Sequence, residues 1–209
     1  MDFVAVDVET ANADVGSVCA VGIAAVRAGR VEDVWERMLD PEAPVSPLNT
    51  EVHGMTASDL AGLPRLSEAW GDIEGRLANR IVVCHTMFDR MALTAAAERA
   101  GLRMFAARWL DSAGVARRTW PQFAGRGWGL ASVAAYLGVV FEHHNAGEDA
   151  RAAAEIVIRA CVATGRSPGE WLAGSRSQGR EPDLPASQKG ALASYDGLLG
   201  DDKGVERRT

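Results

Sequence analysis

Residues 3–11, FVAVDVETA, carry two acids inside an apolar run. Phe3, Val4, Val6 and Val8 are of the kind that fill a buried strand, and Asp7 and Glu9 stand among them two positions apart. Side chains on a strand alternate between its faces, so positions i and i+2 point the same way. Two carboxylates are therefore aimed side by side from one apolar strand. Taken alone, the pair has a second explanation: two exposed acids at a solvated strand end.

Residues 87–102 repeat with helical period. Asp89 recurs with Ala92, Leu93, Ala96 and Ala100 on the apolar stripe, while Arg90, Thr94 and Glu98 fall on the solvated side. An acid in the first turn suits the helix macrodipole, which explains its nearness to the N-terminus but not its side of the helix. In 147–165, Asp149 aligns with Ala153, Ile156 and Ala160, again the apolar side. Its neighbour Glu148 aligns with Arg151, Glu155 and Arg159, a charged surface row that pairs across turns. Glu148 thus has an ordinary role and Asp149 does not.

A buried ionised carboxylate is costly unless it is paired or holds a metal, and no Lys or Arg is placed to pair with Asp7, Glu9, Asp89 or Asp149. Divalent cations resolve the conflict. Mg²⁺ and Mn²⁺ prefer carboxylate oxygens, and two such ions about 3.5–4 Å apart clamp the attacking and leaving oxygens of a phosphodiester displacement. Zinc is not the first choice for so carboxylate-rich a set. His144, five residues before Asp149 and just ahead of its helix, stands at the rim of the cluster. There a neutral imidazole can take a proton from an attacking water; a capping or solvated loop histidine is the alternative. His143 has no such spacing argument and reads as structural or exposed.

The elements that must position these groups follow from pattern. The strand at 3–11 is succeeded by two more in 18–39, hinged at Ala28-Gly29-Arg30. Residues 40–64 read as a long Pro-rich connection with a short helix after Thr56. A helix spans Leu66 to Ala78, a buried strand 80–85, the Asp89 helix 87–102 ending at Gly101, and a short strand 107–112. Helices follow at 129–139 and 147–165. Hairpins first, then alternating strand and helix, predict an α/β fold: a mixed sheet flanked by helices. From about Gly174 the composition turns to Gly, Ser, Pro and charge, so the expected division is a domain over 1–172 and a disordered tail over 173–209.

Composition narrows the classes. The chain has 209 residues, 47% of them hydrophobic, and a net charge of −6, which excludes the global basic footprint of a tight duplex binder. Bound cations or local arginines can still supply a positive field for nucleic acid. Three cysteines without CxxC spacing read as buried reduced thiols. No run approaches 18 apolar residues and the opening residues form a strand and not a leader. A soluble cytoplasmic protein with no membrane contact is expected.

These residues are similar to the motifs of the DEDD exonucleases of the histidine subtype, the group that includes the proofreading epsilon subunit of bacterial DNA polymerase III and ribonuclease T. VDVET resembles the first motif, VCHTMFD the second and HHNAGEDA the third, with HGMT at 53–56 between the first two, in order over residues 2–165. The resemblance implies a ribonuclease H-like fold with a mixed five-stranded sheet. It implies Asp7, Glu9, Asp89 and Asp149 as ligands of two divalent ions, Mg²⁺ or Mn²⁺, and His144 as general base. The implied activity is 3′→5′ release of nucleoside monophosphates from single-stranded or frayed 3′ ends.

It further implies that Thr10 contacts the terminal nucleotide through its backbone. Met55 either packs beside the substrate base or fills the core, and His85 lies near the site, with a core role favoured. The sequence departs from the family at Thr86, where Asn is usual, and at Gly147, where a bulkier residue is usual; Gly147, placed before the helix, is expected to loosen the His144 loop. RRTWPQFAGRGW (117–128) reads as a loop, either solvated or guiding single strands. The first expectation is a DNA exonuclease, with a polymerase or repair protein as partner. RNA 3′-end trimming and a non-catalytic docking module with the tail as partner peptide are the rivals.

Overall fold

The computed structural model describes residues 1–176. β1 (Phe3–Thr10) is followed by β2 (Val18–Arg27) and β3 (Arg30–Met38). The turn between β2 and β3 is Ala28-Gly29, with φ of 49° and 80°. Positive φ at both positions is the type I′ geometry that matches strand twist, at the expected hinge. β4 (Ile81–Cys84) and β5 (Arg108–Asp111) complete one sheet in the order β3-β2-β1-β4-β5. β2 runs antiparallel to β1 and β3, while β4 is parallel to β1 and β5 parallel to β4. This is the mixed five-stranded sheet expected from the sequence.

The helices are α1 (Pro47–His53), α2 (Ala57–Leu60), α3 (Leu66–Leu77), α4 (Phe88–Arg99), α5 (Ser112–Thr119), α6 (Leu130–Leu137), α7 (Ala146–Thr164) and α8 (Pro168–Arg176). Three of them depart from the sequence reading. α1 lies in what reads as connection: Ser46 caps it by accepting from Asn49 N–H, and Pro47 occupies the first turn, where proline is tolerated. α5 starts directly after β5, with Asp111 as its cap, so Arg117 and Arg118 sit on a helix and not in a loop. α8 follows α7 after a short turn. The tail reading for 173–209 falls outside the described residues, apart from 173–176, which continue α8.

Each face of the sheet carries its own core. Phe3, Ala5, Ala24, Val26 and Val83 pack against the α5–α8 side, with Ile156, Val157 and Trp171. Val4, Val6, Val8, Ile23 and Val82 pack against α3 and α4, with Trp70, Ile73 and Leu93. Cys19, Cys84 and Cys161 are buried and free, as expected. Among the described residues no helix is long and apolar enough to cross a membrane.

Candidate active site

Odd-numbered residues of β1 face α7 and even-numbered ones face α3 and α4, so Asp7 and Glu9 share the α7 side. Asp7 pairs across the sheet with Gly22, and α7 begins over that glycine. A Cβ on Gly22 would lie 2.0 Å from the carbonyl carbon and oxygen of Ala146. The missing side chain therefore sets how closely α7 approaches the sheet, and with it the placement of Asp149 in the first turn of α7. One oxygen from each of Asp7, Glu9 and Asp149 lies within 4.8 Å of the others.

Asp89 arrives from the opposite layer. β4 pairs with β1 only at Val4 and Ala5, so further along β1 that edge has lost its strand partner. Asp89 Oδ1 accepts the Val8 N–H there at 3.0 Å. Ala92, Leu93 and Ala96 are buried with it, but Ala100 is exposed, because α4 ends at Arg99 and the stripe leaves the sheet.

Burial decides the electrostatics. It raises Asp7 well above the ordinary carboxyl range, with Asp89, Asp149 and Glu9 adding repulsion. Glu9 is pushed to about 8 and Asp89 to about 7, burial leading in both. Among the described residues no Lys or Arg forms an ion pair with any of the four acids. Glu148, by contrast, pairs with Arg151 at 2.6 Å, the surface role expected of it.

Asp149 is held by the third-motif segment itself. His144 N–H donates to Oδ2 at 2.9 Å, and His143 Nδ1 lies 2.9 Å from Oδ1 and 3.2 Å from Oδ2. His143 is exposed, as the sequence reading allows, and its ring nitrogen also reaches Asp149, a contact that the spacing does not announce. The contact spans the turn into α7, where His144 adopts φ 67°, a backbone bend that no sequence spacing announces. The His144 imidazole is held below its ordinary pKa by burial and by His143, so it is neutral at pH 7.

Glu36 is a fifth acid that sequence reasoning missed. It pairs with Gly22 across β2 and β3, so Asp7, Gly22 and Glu36 form one row of the sheet. Its Oε2 accepts from Asn145 Nδ2 at 3.2 Å, and Asn145 caps α7 by accepting from Glu148 N–H. Its charge also raises Asp7 and Glu9. β3 is charged on both faces, which hides this one acid beside the cluster among several. Gly147 is the second residue of α7 and not part of a loop before it. A Cβ there would meet Val34 Cγ1 at 3.3 Å and Glu36 Cβ at 3.4 Å, so a side chain at this position would crowd β3.

A cleft of about 350 Å³ beside Glu9 is lined by Glu36, Val52, Met55, His143 and His144. Met55 lines it while also packing on the small cluster of Ala11, Cys19 and Leu60. Thr10 is buried, and its carbonyl accepts from Asn49 Nδ2 at 2.8 Å, so α1 braces the end of β1. His85 has both ring nitrogens engaged, Nδ1 with Ser112 Oγ at 2.8 Å and Nε2 with the Trp128 carbonyl at 2.9 Å. It ties the end of β4 to α5 and the segment before α6. A larger cavity of about 420 Å³ lies at the other end of β1, bordered by Arg27, Arg80 and Arg108, away from the acids.

The exonuclease family profile (RNase_T) matches residues 4–157. The PolC-type DNA polymerase III of Thermotoga petrophila is 27% identical over 161 residues, covering 75% of this chain and 12% of the polymerase. That of Streptococcus suis is 27% identical over 160 residues, covering 75% and 11%. The chain thus spans only a small part of the length of these curated relatives. Exonuclease X in complex with 5′ overhanging duplex DNA shares the fold with a TM-score of 0.67 at 18% identity, over 81% of this chain and 97% of that one. The nuclease domain of 3′hExo, a DEDDh family member bound to rAMP, does so at 0.60 and 15%, over 76% and 90%. The E. coli ExoI–ssDNA complex does so at 0.69 and 14%, over 84% and 43%. With the mixed five-stranded sheet in place and the profile matched over residues 4–157, the chain belongs to the exonuclease family.

Proposed function

We propose that this chain is a metal-dependent 3′→5′ exonuclease that removes nucleoside monophosphates from single-stranded or frayed DNA 3′ ends. The observation that carries the reading is the convergence of Asp7, Glu9 and Asp149 within 4.8 Å, with His144 next to Asp149 and neutral. DNA is favoured over RNA because the curated relatives are DNA polymerases. RNA 3′-end trimming is the second reading, favoured by the fold shared with a nuclease domain bound to rAMP. The same relatives favour a polymerase as partner.

The donor set fits hard divalent cations: buried, mutually repelling carboxylates without basic partners are what Mg²⁺ or Mn²⁺ neutralises. Asp7, Glu9, Asp89 and Asp149 would hold two such ions. When bound, the ions supply positive charge to the phosphate as charge develops on it. His144 accepts the proton of the water that adds to phosphorus, as the P–O3′ bond to the preceding nucleotide breaks and that 3′ oxygen takes up a proton. Met55 lines the cleft where the terminal base would stack, and the Thr10 main chain, braced by Asn49, would meet the terminal sugar. His85 steadies the β4 end through Ser112 and Trp128.

The test is hydrolysis of matched 3′-tailed DNA and RNA oligonucleotides with Mg²⁺, Mn²⁺ or EDTA. Metal-dependent laddering from the 3′ end, faster on DNA, is the expected result. Faster RNA laddering selects the trimming reading, and a folded chain that cleaves neither overturns both.

A further inference from the structure

Three rings succeed one another in the segment leading to α7. Phe141 packs on the α5–α8 core, and its ring centroid lies 5.4 Å from that of His143. His143 in turn lies 3.9 Å from His144 with the planes within 14°. The same His143 ring turns Nδ1 toward both oxygens of Asp149. A carboxylate only accepts, so Nδ1 carries the hydrogen.

Donor atoms of His143, His144 and Asp149 also lie within 4.8 Å of one another. Parallel imidazoles this close, however, direct their in-plane lone pairs side by side and not toward a common point. The trio is therefore a hydrogen-bonded stack and not a second metal site. His144 needs such support. It sits at φ 67°, where residues other than glycine are uncommon, and among the described residues its ring has no hydrogen-bond partner.

We propose that His143 is a positioning residue with two separable contacts. Its ring face sets the plane of the His144 imidazole, and its Nδ1–H fixes the orientation of the Asp149 carboxylate. The inference rests on the reading of His144 as base and Asp149 as metal ligand. Hydrogen-bond partners of ligating groups typically matter by roughly 10–100-fold in affinity or activity.

Three full-length variants separate the contacts. His143→Ala removes both, His143→Phe keeps a ring without a donor, and His143→Asn keeps a donor near the Nδ1 position without the ring. Mn²⁺ binding without nucleic acid, followed by the EPR signal of the free ion, reads the Asp149 contact; kcat at saturating Mn²⁺ reads the stack. His143→Ala is expected to weaken Mn²⁺ binding and to lower kcat, each by roughly tenfold or more. His143→Asn recovers binding but not kcat, and His143→Phe recovers part of kcat but not binding.

Wild-type behaviour of His143→Ala in both readouts overturns the proposal. So does parallel behaviour of all three variants, which is what a general structural role gives. A wild-type chain that binds no Mn²⁺ overturns the underlying reading and this proposal together. Wild-type hydrolysis with indifferent variants overturns this proposal alone.

Discussion

Gly22 on β2 and Ala146 at the start of α7 meet backbone to backbone, so closely that a Cβ on Gly22 would stand 2.0 Å from the Ala146 carbonyl. Asp7 is the residue paired with Gly22 on β1, and Asp149 is one helical turn beyond Ala146. One glycine thus fixes the separation of two acids that the sequence places far apart.

Gly22→Ala should be among the most damaging small substitutions in the chain. The methyl meets main chain that cannot rotate away, so the cost belongs at the upper end of the overpacking range, about 3 kcal/mol or more. Urea denaturation should show that loss, and the residual folded protein should not hydrolyse DNA. Wild-type stability for Gly22→Ala would mean that β2 and α7 do not meet backbone to backbone at this point.

The acids predict an unusual pH dependence without metal. Asp7, Glu9 and Asp89 have folded pKa values raised above the unfolded ones, so folding penalises their ionised forms. Stability from this source is fully present below the unfolded values near about 4. It is lost as pH rises, for Asp89 and Glu9 through the range that ends at about 7 and about 8, with Asp7 adding to the fall in the same direction. Melting temperature in EDTA should therefore fall between about pH 5 and about pH 8.5, and Mn²⁺ should cancel most of the fall. A flat profile in EDTA would show that the acids are not desolvated.

Removing one of the acids separates stability from activity. Asp7→Asn relieves repulsion at a buried position, so the metal-free chain should melt higher while hydrolysis is lost. Asp149→Asn should abolish hydrolysis too, and His144→Ala should slow it by roughly 10²–10⁴-fold. Glu148→Ala loses only a partly exposed pair with Arg151, worth about 1 kcal/mol at most, and should keep its rate. Equal damage from Glu148→Ala and Asp149→Asn would refute the assignment of faces on α7.

Thr86 holds φ 75° between β4 and α4, a left-handed conformation that a β-branched residue adopts only under strain. Its N–H donates to Asp111 Oδ1, and its Oγ1 accepts from Phe88 N–H. Asparagine tolerates this backbone and offers an acceptor at a similar place. Thr86→Asn should therefore raise stability by about 1 kcal/mol, measurable as a higher denaturant midpoint. A lower midpoint would mean that the methyl of Thr86 packs better than the backbone is strained.

Much of this arrangement is legible in the residues. Alternation gives β1 with Asp7 and Glu9 on one side, and helical period separates Asp149 from Glu148. The acids could be found because each breaks a hydrophobic pattern. His143 and Glu36 could not, since neither breaks one: His143 sits in a turn whose positive-φ bend at His144 follows no periodic pattern, and Glu36 lies in a strand charged on both faces. α1 escaped because proline reads as a breaker although Pro47 stands where a helix accepts it. α5 escaped because β5 runs into it with no intervening turn.

Asp89 meets Val8 across 81 positions of chain, and it does so from the layer opposite α7. The acids are thus contributed by the first strand and by one helix on each side of the sheet. Loops this long close at an entropic cost that must be met before their contacts reward it. No early, half-docked form of the chain can assemble the centre: a molecule with one layer in place carries Asp7 and Glu9 but lacks either Asp89 or Asp149. During refolding, the recovery of metal-dependent hydrolysis should therefore trail the recovery of helical signal.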